Sequence, residues 1–208
     1  MGQFNRNDYD GLVLNEVRDG TVAAAFTERT GGISESPYAS LNLGSHVGDD
    51  LAAVKEHRRR VLAALGCAGD FERLLVPNQV HGDCVAVVRE GSDDELARVR
   101  EQIAEGSDAL VCVAAHVPVM LCFADCVPVV LTCPGGFAVI HSGWKGTIAR
   151  ISAKAANILC ETAACPASSF RAYIGPYILG DEYEVSQELM ERFCAEFGWV
   201  NVGDSRML

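Results

Sequence analysis

Nine cysteines occur without a single CxxC pair, which excludes zinc ribbons, thioredoxin-like redox centres and c-type haem attachment. Long apolar runs are missing too, because Asp, Asn, Pro or Gly interrupts each one well short of the length of a bilayer span. The first residues, MGQFNRNDYDGLVLNEV, contain no apolar h-region and no small-residue cleavage site, so a secretory signal is not expected and a cytoplasmic location follows. Positive charge is scarce. Seventeen Lys and Arg against 28 Asp and Glu give a net charge of −11, an acidic surface that repels phosphate backbones and argues against nucleic acid as a partner.

What remains is a chain of 208 residues, 49% apolar, enough for one core and short for two, so a single domain is expected. The odd cysteine count, with Cys112, Cys122, Cys126 and Cys133 in or beside apolar runs, favours reduced, packed thiols over a disulfide framework. Strand-like runs at 12–17, 21–26 and 84–88 alternate with helical patterns. Residues 50–65 place Leu51, Val54, Val61, Leu62 and Leu65 on one face, behind an Asp cap and before Gly66. Ser92 and Glu95 form a capping box for a short surface helix ending near Gly106. Two further helices are expected over 147–163 and 186–197, the second burying Leu189, Met190, Phe193 and Phe197.

The stretch VPVMLCFADCVPVVLTCPGGFAVIHSGWKGT carries the most information. PVVLTC and FAVIH flank Pro134, Gly135 and Gly136 and read as an antiparallel hairpin buried on both faces. Such a hairpin brings the residue before its first strand, Cys126, beside the end of its second, His141. His81 lies in another polar break, PNQVHGD, where Asn78 and Gln79 offer amides for hydrogen bonds at a site. One thiolate and two imidazoles suit zinc and leave a fourth position for water or substrate. The same set can hold copper with a weak axial Met, and Met120 is near in sequence, so copper ranks second. After His141, SGWKGT leads into a helix expected to start near Thr147, a strand, Gly-rich turn and helix N-terminus where Lys145 adds charge for an anion.

These words resemble a known family. FTERTGGIS at 26–34, PYASLNLGSHVGDD at 37–50, NQVHG at 78–82, SDALV at 107–111, ADCVPVVL at 124–131, HSGWKGT at 141–147 and IGPYI at 174–178 follow the order seen in YfiH-type proteins. That family was long labelled a polyphenol oxidase laccase domain and is now regarded as purine nucleoside phosphorylases. The resemblance implies an α/β fold, a layered sandwich of mixed β-sheets flanked by helices, similar to the deamidase domain of cytotoxic necrotizing toxins. By matching motif it places a catalytic zinc on His81, Cys126 and His141. It implies phosphorolysis of adenosine, inosine, guanosine or methylthioadenosine, with adenosine deamination as a second activity, so that purine nucleoside and phosphate are the partners.

Arg29 in ERTGG and Lys145 in SGWKG are the candidates to hold phosphate. Asp108 and Asp125 are candidate carboxylates for a proton step or for orienting a ligand histidine. Asp125, next to Cys126, points the other way along a regular strand, which favours a supporting or capping role. Five histidines, at 46, 57, 81, 116 and 141, are too few for the largely histidine-built copper array of a true laccase. Other classes the sequence permits are an amidase that removes a wrongly added L-serine from a UDP-linked muramyl precursor, and a non-catalytic metal-binding protein. Two departures from the family pattern stand out. Glu182 precedes Tyr183, Glu184 and Val185 where the family commonly has a cysteine, and family members usually run on for a few dozen residues past NVGDSRML.

Overall fold

The computed structural model describes residues 4–198. Two sheets and five α-helices make up its regular structure, the mixed α/β layering expected from the sequence. The first sheet is an antiparallel meander of β1 (Asn5–Tyr9), β2 (Leu12–Asp19) and β3 (Val22–Thr27). β1 was not legible as a strand, since NRNDY has no apolar alternation; all five residues are exposed, and pairing to β2 alone makes it an edge. A long segment, 28–50, then leads to α1 (Leu51–Ala64), which opens with the Asp50 side chain accepting from the Ala52 N–H. Val54, Val61 and Leu62 are buried as the periodicity predicts, but Leu51 is 63% exposed, because its position in the first turn overhangs the packed face.

The second sheet has the order β4 (Val85–Val88), β5 (Ala109–Cys112), β7 (Gly136–Ser142), β6 (Val127–Cys133), β8 (Arg171–Ile174). Only β4 and β5 are parallel; β5 with β7, β7 with β6 and β6 with β8 run antiparallel. Alternation decides which layer each face serves. Leu110 and Cys112 of β5 pack with Leu96, Val99 and Ile103 of α2 (Asp93–Glu105). Ala109 and Val111, on the opposite face, pack with Ile151, Ala155 and Leu159 of α4 (Ile151–Ala163). Central strands so covered bury both faces. Val17 and Phe26 of the small sheet meet Val130 and Tyr173 of the large one, joining the two into layers.

The expected helix over 147–163 is in fact two. α3 (Trp144–Ile148) starts three residues earlier, and Arg150 in the left-handed region, φ 57°, breaks the run before α4. Apolar spacing continues unbroken across this joint, with no Gly or Pro to mark it, so sequence alone could not place it. The last helix, α5 (Gln187–Phe197), lies where it was expected, capped by Ser186, yet buries only Met190; Leu189 and Phe193 are half-buried and Phe197 is exposed. Among the described residues its partner is α3, a single short turn that covers little of that face.

The capping box at α2 closes in an unexpected way. Ser92 accepts from the Glu95 N–H at 3.3 Å, but the Glu95 carboxylate takes the N–H groups of Arg89, Glu90 and Gly91 at 2.7–2.9 Å. Burial raises the pKa of this carboxyl, and the three backbone donors outweigh it and hold the group below the usual glutamate range. A depressed folded-state pKa means stability that is present above the unfolded value and lost as pH falls through the folded one. Glu95→Ala is therefore expected to lower stability by roughly 2 kcal/mol at pH 7, with the gap to the parent narrowing below about pH 4. Thermal unfolding at pH 7 and pH 3 checks this; a gap of equal size at both would show that the carboxylate charge is irrelevant.

Candidate metal centre and adjoining cleft

One end of the large sheet gathers the predicted site. β4, β5 and β6 begin there and β7 ends there, so residues just before three strands and at the close of a fourth become neighbours. In the hairpin register Val127 pairs with Ser142 and Pro128 with His141, which sets Cys126 beside the end of β7 as expected. His81, from the loop before β4, completes the group. One ligand atom from each of His81, Cys126 and His141 lies within 4.8 Å of the others, and no other cluster of three His, Cys, Asp or Glu ligands is found among the described residues. The two imidazoles meet edge to face with centroids 4.8 Å apart. Phe123 stands against His141 at 5.6 Å.

Asp108 organises this end of the sheet. Fully buried in the residue before β5, it accepts the Nδ1–H of His141 at 2.7 Å and the backbone N–H groups of Val80, His81 and Gly82 at 3.2, 3.0 and 2.7 Å. Its own carbonyl accepts the His141 N–H at 2.7 Å. Three successive N–H groups form an anion nest, here filled by the protein's own carboxylate. His81 within that nest has φ 58°, a left-handed conformation uncommon outside Gly. Because a carboxylate only accepts, His141 Nδ1 carries the proton and Nε2 presents its lone pair to the site. Burial pushes the His141 imidazole down against the pull of Asp108, which favours the neutral ligand form. Of the two roles open to Asp108 in the sequence, the geometry matches orientation of a ligand.

The donor set fits a divalent ion on this structure's own terms. Zn–N and Zn–S distances of about 2.0 and 2.3 Å imply ligand separations of roughly 3.3–3.8 Å, so three atoms within 4.8 Å of one another would need to close by no more than about 1.5 Å. Burial first, then the charges of Asp125 and Asp108, push the Cys126 thiol up, so the site lies in a negative field that a cation would relieve. Gly143 supplies the space. A Cβ there would stand 3.0 Å from His81, 3.2 Å from the Cys126 sulfur and 3.6 Å from His141, in the hollow all three face. Met120 does not complete a copper-type set: it packs on the Leu12, Leu14, Leu41 and Val61 cluster.

The remaining predicted residues are dispersed. Asn78 donates to Ala104 O at 3.2 Å, anchoring its loop to the end of α2. Both amide atoms of Gln79 engage the backbone of Cys122. The Arg29 guanidinium donates twice to Ala39 O. Lys145 is exposed, its ammonium 5.4 Å from the centroid of the Trp144 ring. With α3 only five residues long, the turn before it lacks the long helix dipole expected from sequence. Asp125 is exposed; its main-chain carbonyl accepts the Ile178 N–H, a bond that does not involve the carboxylate considered for a supporting or capping role.

Sequence reading missed a cleft of about 690 Å³ between α1, α2 and the loops before His81 and Cys126. His46, Lys55, Arg58 and Arg100 line it together with Asn78 and Gln79. Arg58, held by Leu43 O at 2.7 and 3.0 Å, lies close enough to Cys122 to oppose the rise that burial imposes on that thiol. In the run HRRRV an arginine looks like one of several solvated helix cations, so nothing local set Arg58 apart. Tyr183 was also missed. Burial, with Cys126 and Asp125 nearby, pushes its phenol up.

The mixed α/β sheet carries a His₂Cys cluster that could hold a metal ion at one end, with a cation-lined cleft walled by the segments leading to His81 and Cys126, an arrangement of the YfiH type. A sequence model described as "Multi-copper polyphenol oxidoreductase laccase" matches residues 23–205, and the chain belongs to this family. It is 39% identical over 188 residues to a purine nucleoside phosphorylase of Deinococcus radiodurans, covering 89% of this chain and 68% of that protein. It is 37% identical over 174 residues to a purine nucleoside phosphorylase of Corynebacterium glutamicum, covering 83% and 67%. The crystal structure of Bacillus licheniformis hypothetical protein YfiH superposes with a TM-score of 0.76 at 30% identity, covering 89% of this chain and 69% of the other. The chain thus spans about two thirds of the length of these relatives.

Proposed function

We propose that this chain is a zinc-dependent purine nucleoside phosphorylase acting on adenosine, inosine, guanosine or methylthioadenosine, with adenosine deamination as a second activity. The observation that carries the proposal is the convergence of His81, Cys126 and His141 around the hollow left by Gly143, beside a cleft lined by cations in an otherwise acidic protein. Relatives named purine nucleoside phosphorylase support the reaction class. Zinc is favoured over copper because the set is one thiolate and two imidazoles, Met120 is engaged in another cluster, and five histidines do not make a multicopper array.

In phosphorolysis a phosphate oxygen bonds to ribose C1′ as the bond to the purine nitrogen breaks, and the departing base takes up a proton. His81, Cys126 and His141 would hold the zinc, which supplies a Lewis acid with an open position for an oxygen ligand. The chain's own residues set the stage. Asp108 fixes the His141 tautomer and the His81 loop. Lys145, Arg29 and Arg58 are the candidates to balance phosphate charge, Arg58 by its place on the cleft wall.

Metal analysis of the purified protein, combined with assays on adenosine and inosine with and without phosphate, tests this reading. About one zinc per chain and phosphate-dependent release of base with ribose 1-phosphate are expected. Full zinc content with no nucleoside turnover would overturn it. Lys145→Met is expected to raise the phosphate KM about tenfold, equivalent to roughly 1.4 kcal/mol, at unchanged zinc content. Unaltered kinetics would remove Lys145 from the site.

A further inference from the structure

His81 and Cys126 start from distant places on the sheet. β4, entered from His81, is the edge strand, and β6, entered from Cys126, lies beyond β5 and β7. Three strand spacings of about 4.8 Å separate the two entry points by roughly 14 Å. Their loops must therefore lean across the end of the sheet to bring both ligand atoms into one group, and a specific set of bonds holds them there. Segments 75–79 and 118–122 run side by side. Leu75 N–H donates to Pro118 O at 3.0 Å and Met120 N–H to Leu75 O at 3.0 Å, the parallel bridge between Leu75 and Val119. Four residues on, the Gln79 side chain continues this pairing: Nε2–H donates to Cys122 O and Oε1 accepts Cys122 N–H, both at 2.8 Å. The amide stands in for a strand's backbone, two residues before His81 and four before Cys126.

We propose that Gln79 is a positioning residue that sets the separation of His81 and Cys126, and through it the affinity of the metal centre, rather than a substrate ligand. The proposal rests on the reading of His81, Cys126 and His141 as a metal site. Both polar atoms of Gln79 are engaged with Cys122, so the amide plane is fixed by the neighbouring segment, and its one remaining N–H and lone pair are secondary to that hold. Partners that orient metal ligands typically change affinity 10- to 100-fold when removed.

Gln79→Ala removes both bonds. Gln79→Glu keeps acceptance from Cys122 N–H and turns a carboxylate oxygen toward Cys122 O. Zinc affinity is measured by competition with a chromogenic chelator, and the cobalt-substituted proteins are compared by their visible absorption spectra. Gln79→Ala is expected to weaken zinc binding about 10- to 100-fold and to alter the cobalt spectrum, with Gln79→Glu between it and the parent. Val61→Ala in the core of α1 lowers the thermal midpoint without moving the zinc affinity, which separates positioning from general loss of stability. If Gln79→Ala does not fold, the comparison of Gln79→Glu with the parent decides. A folded Gln79 variant with parental zinc affinity overturns the clasp, as does one whose only defect is a raised phosphate KM. A parent protein that takes up neither zinc nor cobalt overturns the metal-site reading itself.

Discussion

Asp108→Ala is expected to be the most damaging single substitution at this end of the sheet. It removes the acceptor shared by His141 Nδ1 and the N–H groups of Val80, His81 and Gly82. A buried donor left without a partner costs about 1–3 kcal/mol. The His81 loop can rehydrate some of its N–H groups, so a loss of about 3 kcal/mol is expected in total. For a chain of this size that lowers the thermal midpoint by roughly 6–12 °C. Zinc affinity falls as well, by 100-fold or more on the order-of-magnitude scale for such partners, because His141 loses its fixed tautomer and His81 its left-handed backbone support. Asp108→Asn retains one acceptor oxygen and should lie between. Calorimetry and chelator competition on the two variants check the claim; unchanged midpoint and affinity for Asp108→Ala would show that the carboxylate organises nothing.

Cys126→Ser separates metal ligation from packing. Serine keeps a small polar side chain but not the thiolate, the stronger zinc ligand. The expected product is folded, carries little zinc and turns over no nucleoside. Were Cys126 only a packed hydrophobe, burying a hydroxyl would destabilise the protein by roughly 1–3 kcal/mol and leave metal content alone. Full zinc occupancy with retained activity in the serine variant would remove Cys126 from the site.

The convergence of His81, Cys126 and His141 was legible because each interrupts an apolar run with a polar word, and the hairpin register converts two of those interruptions into neighbours. SDALV marked Asp108 as a carboxylate of interest, but not its four donors, since these come from residues 80–82 and 141, and only the folded sheet brings them together. His57 shows the same limit. It reads as a polar position on α1, yet it is fully buried, with its ring nitrogens on Asn42 O and the Ile33 N–H, pinning the 28–50 segment to the helix. Gln79 stood out in the sequence only as an amide offered to a site; its actual partner, the Cys122 backbone 43 residues away, was not visible. The helix over 147–163 failed at Arg150, where no breaker residue announces the joint, whereas the extent of α5 held and only its burial fell short, its apolar stripe finding little cover among the described residues.

His81, Cys126 and His141 lie at the same end of the sheet, and the turn of the β6–β7 hairpin lies at the other. Pro134 and Gly135 there are exposed, a seven-residue strand of roughly 20 Å from Cys126. That turn is the natural attachment point for a dye or an affinity handle. A fluorophore placed on it would report on occupancy of the far end by energy transfer to a bound cobalt ion, without touching any residue that builds the centre.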